Sequence, residues 1–184
     1  MVHGLGSAVT TSPVLSKYAS AAAKEANSSL VAGDGIRVSF EITDLLEWNQ
    51  DTVAANVSGA DIVTIMFTLN ELYSASVAKT QNFLRMITSA MPQGALLLVV
   101  DSPGSYSSVA INGAEKKYPM QWLLDHTLLG NREDGEDESS KWEKLVSDDS
   151  RWFRLPEGLN YPIELENMRY QIHLFRRRAD EKSS

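Results

Sequence analysis

The sequence predicts an α/β domain that closes on an antiparallel C-terminal hairpin, and three stretches carry that prediction. Asp61–Phe67 and Ala95–Val100 are continuous apolar runs, the pattern of strands buried in a parallel sheet, and each runs into polar residues at its carboxyl end. Between them, Phe83, Leu84, Ile87, Ala90 and Met91 recur at helical spacing from Lys79 to Met91, and Pro92-Gln93-Gly94 ends the pattern. Strand, helix and strand with short joints form a βαβ unit, whose crossover is right-handed almost without exception. Near the C-terminus, Asn167–Arg177 sets Met168, Tyr170, Ile172 and Leu174 against Arg169, Gln171, His173 and Phe175. That period of two belongs to an antiparallel strand, expected to pair with residues around Trp152–Leu155.

The other elements follow in chain order. Residues 1–11 read as a flexible terminus with neither the basic nor the apolar region of a secretory signal. Gly4-Leu5-Gly6 has no strand before it and no third glycine, so a phosphate-binding loop is not supported. Ser16–Asn27 is alanine-rich and predicts a helix with Ser16 as N-cap. After the turn Gly33-Asp34-Gly35, Val38, Phe40 and Ile42 alternate along a predicted strand from Arg37 to Ile42. Met120–Leu129 predicts a short helix with Trp122, Leu123 and Leu129 apolar, and Tyr118, Trp122 and Trp152 read as core aromatics. Residues 132–149 hold eight acids against three bases and read as a solvated acidic loop, while Arg176-Arg177-Arg178 reads as a solubilising run before the tail, 179–184. The domain proper is 12–178.

Composition narrows the function classes. With 184 residues the chain can bury a core without staples, and it has no cysteine, which excludes thiol nucleophiles, disulfide scaffolds and zinc ribbons. The apolar runs are too short to span a membrane. A net charge of −7 makes free-standing, non-specific nucleic-acid binding a poor expectation. His3, His126 and His173 lack metal-ligand spacing, so no metal site is expected. Ser102, Ser105 and Ser107 stand outside any nucleophile-elbow context.

In open α/β sheets ligands gather at the carboxyl ends of the strands. The polar clusters at those positions are Thr43-Asp44-Leu45, Thr68-Leu69-Asn70-Glu71 and Asp101-Ser102-Pro103-Gly104-Ser105-Tyr106. Asp101 can equally be a turn or cap residue; Asn70-Glu71 is more than a helix start requires.

Longer strings carry a family resemblance. Phe67-Thr-Leu-Asn-Glu-Leu-Tyr73, Leu97-Leu-Val-Val-Asp-Ser-Pro-Gly-Ser-Tyr106, Lys116-Lys-Tyr-Pro-Met-Gln-Trp-Leu-Leu-Asp-His-Thr-Leu-Leu129, Arg151-Trp-Phe-Arg-Leu-Pro-Glu-Gly-Leu159 and Tyr161-Pro-Ile-Glu-Leu-Glu-Asn-Met-Arg-Tyr-Gln-Ile-His-Leu174 are among them. With Ser16–Lys24, they resemble the fungal 25S ribosomal RNA uridine-N3 methyltransferases from Ser12 onward. The resemblance implies a Rossmann-like class I fold dependent on S-adenosylmethionine (SAM), ribosomal RNA as partner, and a nuclear or nucleolar location. The glycine-rich SAM loop and the ribose-binding acid of that class have no counterpart here. The chain therefore reads as an N-terminally incomplete copy, the C-terminal portion of the fold, with sheet edges left open to a protein partner or to self-association. A non-catalytic remnant or interaction module, and one half of a split enzyme, are the alternatives. In the class sheet order 3-2-1-4-5-7-6, Arg37–Ile42 would be strand 3, Asp61–Phe67 strand 4, Ala95–Val100 strand 5, and the terminal hairpin strands 6 and 7. The resemblance assigns SAM contacts to Asp44, Leu45, Phe67 and Thr68. It assigns catalysis to Asn70, which would orient the uracil edge, and to Glu71, the first choice for general base at N3, with Asp101 second. Ser102 and Tyr106 would contact the substrate.

Overall fold

The computed structural model describes residues 2–104, 106–111, 114–130, 140–159 and 163–179. It divides into two units, Met1–Thr43 and Asp44–Ser184. The first unit holds helices α1 (Val2–Thr10) and α2 (Ala21–Glu25). The expected flexible terminus is thus helical, and the alanine-rich helix is confined to five residues: its N-cap is Ser20, whose hydroxyl accepts from Ala23 N–H, while the Ser16 hydroxyl accepts from Tyr18 N–H in a preceding turn. Arg37–Ile42 forms no strand, and Phe40 and Ile42 are 68% and 88% exposed. Alternation alone does not hold a strand; it needs a neighbour to bond with.

In the second unit, a 3₁₀ turn (Leu45–Glu47) leads into α3 (Gln50–Val57), strand β1 (Ile62–Met66), α4 (Leu69–Ala75), α5 (Val77–Ala90) and β2 (Leu96–Asp101). A hairpin, β3 (Tyr106–Ile111) and β4 (Ala114–Pro119), precedes α6 (Met120–Leu129), β5 (Trp142–Phe153) and β6 (Met168–Arg177). The main sheet runs β1-β2-β6-β5, with β1 parallel to β2 and the other pairs antiparallel. This is the order 4-5-7-6 that the resemblance implies, so the α/β reading holds. The β3–β4 hairpin is an addition that the sequence did not announce.

The core lies on one face of this sheet. Ile65, Leu97, Val99, Trp142 and Phe175 point into it and meet Val53, Leu69, Tyr73, Leu84, Ile87, Met120 and Leu124 from the helices. On the opposite face Ile62 and Met66 are exposed and Leu96, Leu98 and Leu174 only half-buried. Two buried anchors tie the last strands to α5. The Trp142 indole donates to Thr88 Oγ1 at 2.9 Å, and Arg177 donates through Nε to the Thr88 carbonyl, also at 2.9 Å. Arg177 is therefore a structural cation rather than part of a solubilising run, for it is buried and also caps the carbonyls of Lys141 and Arg178.

The expected acidic loop is shorter than its charge implied. Trp142–Asp149 is the first part of β5, whose acids Glu143, Asp148 and Asp149 are incompletely buried, while residues 131–139 lie outside the described residues. Trp122 and Trp152, read as core aromatics, are 45% and 49% exposed. Trp122 instead stacks on half-buried Tyr118, ring centroids 4.5 Å apart.

Candidate active site

β1 and β2 run parallel in the register Met66↔Val100, so their carboxyl ends open on the same edge. β1 stops at Phe67, whose amide donates to the Val100 carbonyl at 2.7 Å and whose φ is 53°. A side chain with a Cβ in the left-handed region is a strained choice, of the kind concentrated at binding sites. It turns the chain at once into α4, whose N-cap Thr68 supplies no side-chain cap but donates its hydroxyl back to the Met66 carbonyl.

The missing cap comes from the neighbouring strand. Asp101, the last residue of β2, is 3% exposed, and its two oxygens divide the work. Oδ2 accepts from Asn70 N–H at 3.0 Å, at the start of α4, and Oδ1 accepts from Ser102 N–H at 2.8 Å. One buried carboxylate thus binds the β1–α4 turn to the loop after β2, where the positive end of the helix dipole favours its charge. Asn70 follows in the same turn, its side-chain Oδ1 buried without a hydrogen-bond partner among the described residues. Glu71 beside it is exposed, in the first turn of α4.

Behind the edge stands a chain of polar groups that sequence reasoning missed. The Gln171 amide donates to the Ser102 carbonyl at 2.5 Å, which leaves its oxygen to face His173 Nε2 at 3.2 Å. That oxygen can only accept, so Nε2 donates to it, and Nδ1 lies 3.0 Å from the Ser147 hydroxyl. Burial, reinforced by the Lys144 charge, holds His173 below the ordinary histidine range, although Asp125, Asp149 and Asp148 pull the other way. Lys144 itself is paired with Asp125 at 2.7 Å. The signal for this chain was two polar residues, Gln171 and His173, on the face of β6 that also carries buried Phe175.

The structure brings Phe67, Thr68, Asn70, Glu71, Asp101 and Ser102 to one edge. Tyr106 opens β3 opposite Pro119, close behind Ser102 in sequence. Asp44 and Leu45 occupy a separate turn: Asp44 caps the 3₁₀ turn by accepting from Leu46 N–H, and Leu45 packs on the core. That turn is held to α5 by the Glu47–Lys79 ion pair at 2.6 Å, and the carboxylate raises the Lys79 ammonium above its ordinary value.

A sheet whose parallel strands deliver polar groups to a common carboxyl edge belongs to the α/β class, in which ligands gather at that edge. The chain belongs to the family described as "Putative SAM-dependent methyltransferase", whose model matches residues 1–176. A curated relative, the 25S rRNA (uridine(2843)-N(3))-methyltransferase of Saccharomyces cerevisiae, is 34% identical over 142 residues, 77% of this chain and 38% of that protein. The chain therefore spans well under half the length of that relative. A solved structure of a proposed DNA modification methylase from Thermus thermophilus aligns with a TM-score of 0.37 at 12% identity, over 73% of this chain and 52% of that one.

The family's cofactor is SAM, and the residues at the edge fit its donor end. An acceptor lacking a donor (Asn70 Oδ1) and an exposed aromatic ring (Phe67) suit an ammonium-bearing, cationic ligand.

Proposed function

We propose that this chain carries the substrate-side half of a SAM-dependent RNA methyltransferase acting on N3 of a uridine in large-subunit ribosomal RNA. The observation that carries the reading is the buried Asp101 cap, which presents Asn70 and Glu71 at the carboxyl edge of a family whose chemistry is methyl transfer. The yeast relative's activity gives the substrate class. SAM would supply the electrophilic methyl group, held by Phe67, Thr68 and Asn70, with Asp44 and Leu45 as the adenine-side contacts.

Methylation at N3 requires the N3 proton to leave. Glu71, exposed and with no ion-pair partner among the described residues, is the carboxylate free to accept it. Asp101 is the weaker candidate because both its oxygens are already bonded to backbone amides. We assign Asp101 to positioning, Asn70 to orienting the uracil edge, and Ser102 and Tyr106 to substrate contact. The remaining contribution is alignment of N3 with the methyl donor. An rRNA substrate fits action in the nucleus and nucleolus.

Two observations favour a second reading, a non-catalytic interaction module: Asp44 is engaged in capping, and β1 has no partner on its outer side among the described residues. Calorimetry with SAM on the 184-residue chain, with Asp44→Ala as comparison, separates the two. Saturable binding that the variant weakens supports the methyltransferase; a folded chain that takes up no SAM supports the module.

A further inference from the structure

The chain is acidic overall, yet three arginines gather around one aromatic ring on the β5–β6 hairpin. Residues 150–155 and 167–171, the facing ends of the β5–β6 hairpin, contain Arg151, Arg154 and Arg169, while the segment that joins them carries Glu157, Glu164 and Glu166. All three arginines are exposed, and none forms an ion pair with a carboxylate among the described residues. They surround a half-exposed ring. The Arg154 guanidinium lies 4.9 Å and that of Arg169 5.5 Å from the centre of Trp152, which is 49% exposed, with Phe153 beside it at 48%. Trp152 and Arg169 face each other across the hairpin, and Arg169 is further fixed by donating to the Ser150 hydroxyl.

The register sets where this cluster lies. β2 ends at Asp101, opposite Gln171, so residues 168–170 and their partners 151–153 continue past the strand ends on the edge that presents Asn70, Glu71 and Ser102. At strand rise and spacing, Trp152 stands about 7 Å beyond that edge and about 10 Å to the side of β2. An irregularity between Asp148 and Arg151 separates the acidic part of β5 from the arginine-bearing strand ends, and such bulges turn the strand that follows.

We infer that this hairpin end is the RNA-contacting platform of the chain, taking an unpaired segment whose phosphates meet Arg151, Arg154 and Arg169 and one of whose bases stacks on the cluster that Trp152 forms with the Arg154 and Arg169 guanidinium planes. The inference rests on the RNA reading of the preceding subsection and supplies a surface that the net charge of −7 gave no reason to expect. An acidic peptide would meet the arginines equally well, but it has no use for a half-exposed indole between them. A paired duplex would keep its bases out of the indole's reach.

The test is fluorescence anisotropy on the full chain with a short, labelled, uridine-containing single-stranded RNA, in a salt series. The combined variant Arg151→Gln/Arg154→Gln/Arg169→Gln is expected to weaken binding at least tenfold and to lower the log–log salt slope by about 2, at ~0.7 for each phosphate no longer neutralised. Trp152→Ala is expected to weaken it about fivefold or more while leaving the slope in place. All the substituted side chains are exposed, and unchanged thermal melting verifies the fold. No RNA binding by the unaltered chain, binding unaffected in the triple variant, or a duplex or polyglutamate bound as tightly as the single strand would each overturn the platform. SAM binding by the unaltered chain, measured separately, keeps the two ideas apart. Absent SAM binding with arginine-dependent RNA binding removes the methyltransferase and keeps the platform; SAM binding with arginine-independent RNA binding does the reverse.

Discussion

Asp101 and Glu71 show how position divides the work of two carboxylates that both stand in polar clusters at strand ends. Asp101 is buried and committed to two backbone amides, so its removal frees the first turn of α4 and the loop after β2 together. Asp101→Ala should cost about 1–3 kcal/mol in urea unfolding, the range for a buried charge-assisted hydrogen bond left unmade. Glu71→Gln should leave unfolding unchanged within about 0.5 kcal/mol, because the side chain is exposed. If Glu71 takes the N3 proton, the same variant lowers methyl transfer by about 10² or more in an assay with SAM and a uridine-containing RNA, with SAM affinity retained. His173 gives a pH prediction. Its folded pKa is depressed by burial, so below the ordinary value of ~6.5 the unfolded chain binds the proton more readily than the folded one. Stability contributed by the neutral ring is complete above that value and falls as pH drops from it toward the folded pKa. Melting temperatures between neutral and mildly acid pH should fall less steeply in His173→Gln than in the unaltered chain. The residue roles were legible only in part. Polar residues at strand ends pointed to Asn70, Glu71 and Asp101, but which carboxylate was buried depended on an Asn70–Asp101 bond spanning 31 positions, and no local pattern encodes that.

At the scale of elements, the legible parts were those whose signal is local. β1, α5 and β2 fall within two residues of the predicted bounds because each carries its own periodicity and stop signal. The failures share a cause. Arg37–Ile42 has the alternation of a strand but no neighbour, whereas Trp142–Asp149 has the composition of a loop but pairs with β6 from Arg177 to Ile172. Partner availability decided both. β6 is the element on which the sheet turns, since it joins β2 to β5 and carries Gln171, His173, Phe175 and Arg177 into the buried face. Phe175 is fully buried, and Phe175→Ala should destabilise by about 3–5 kcal/mol through lost burial and the cavity left behind. Ile62→Ala, on the outer strand at 48% exposure, should cost less than about 1 kcal/mol in the same denaturation series. Similar losses at the two positions would mean that the face bearing Ile62 is covered in solution.

At the scale of the whole molecule, burial among the described residues is confined to one of the two units. No described side chain between residues 4 and 43 is buried; Val14, Tyr18, Leu30 and Ile42 are all more than 80% exposed. This unit is held by its short helices and by a few bonds such as Val31 N–H to the Val9 carbonyl at 3.0 Å, with no apolar cluster among its described residues to offset the entropy of ordering it. Every described core residue lies from Asp44 onward. Local opening draws on the segments with the least buried apolar surface, so protease sensitivity should divide along the same boundary. Limited trypsin digestion is expected to cut at Lys17, Lys24 and Arg37 well before Arg85, which sits within α5. The product beginning at Val38 should melt within about 2 °C of the intact chain, since a larger shift corresponds to more than roughly 0.5–1 kcal/mol for a protein of this size. A substantial drop in melting temperature would show that the first unit supports the core despite its exposure. An unchanged melt would leave unit two, with the Asn70–Asp101 edge and the arginine-flanked Trp152, as the part that folds by itself.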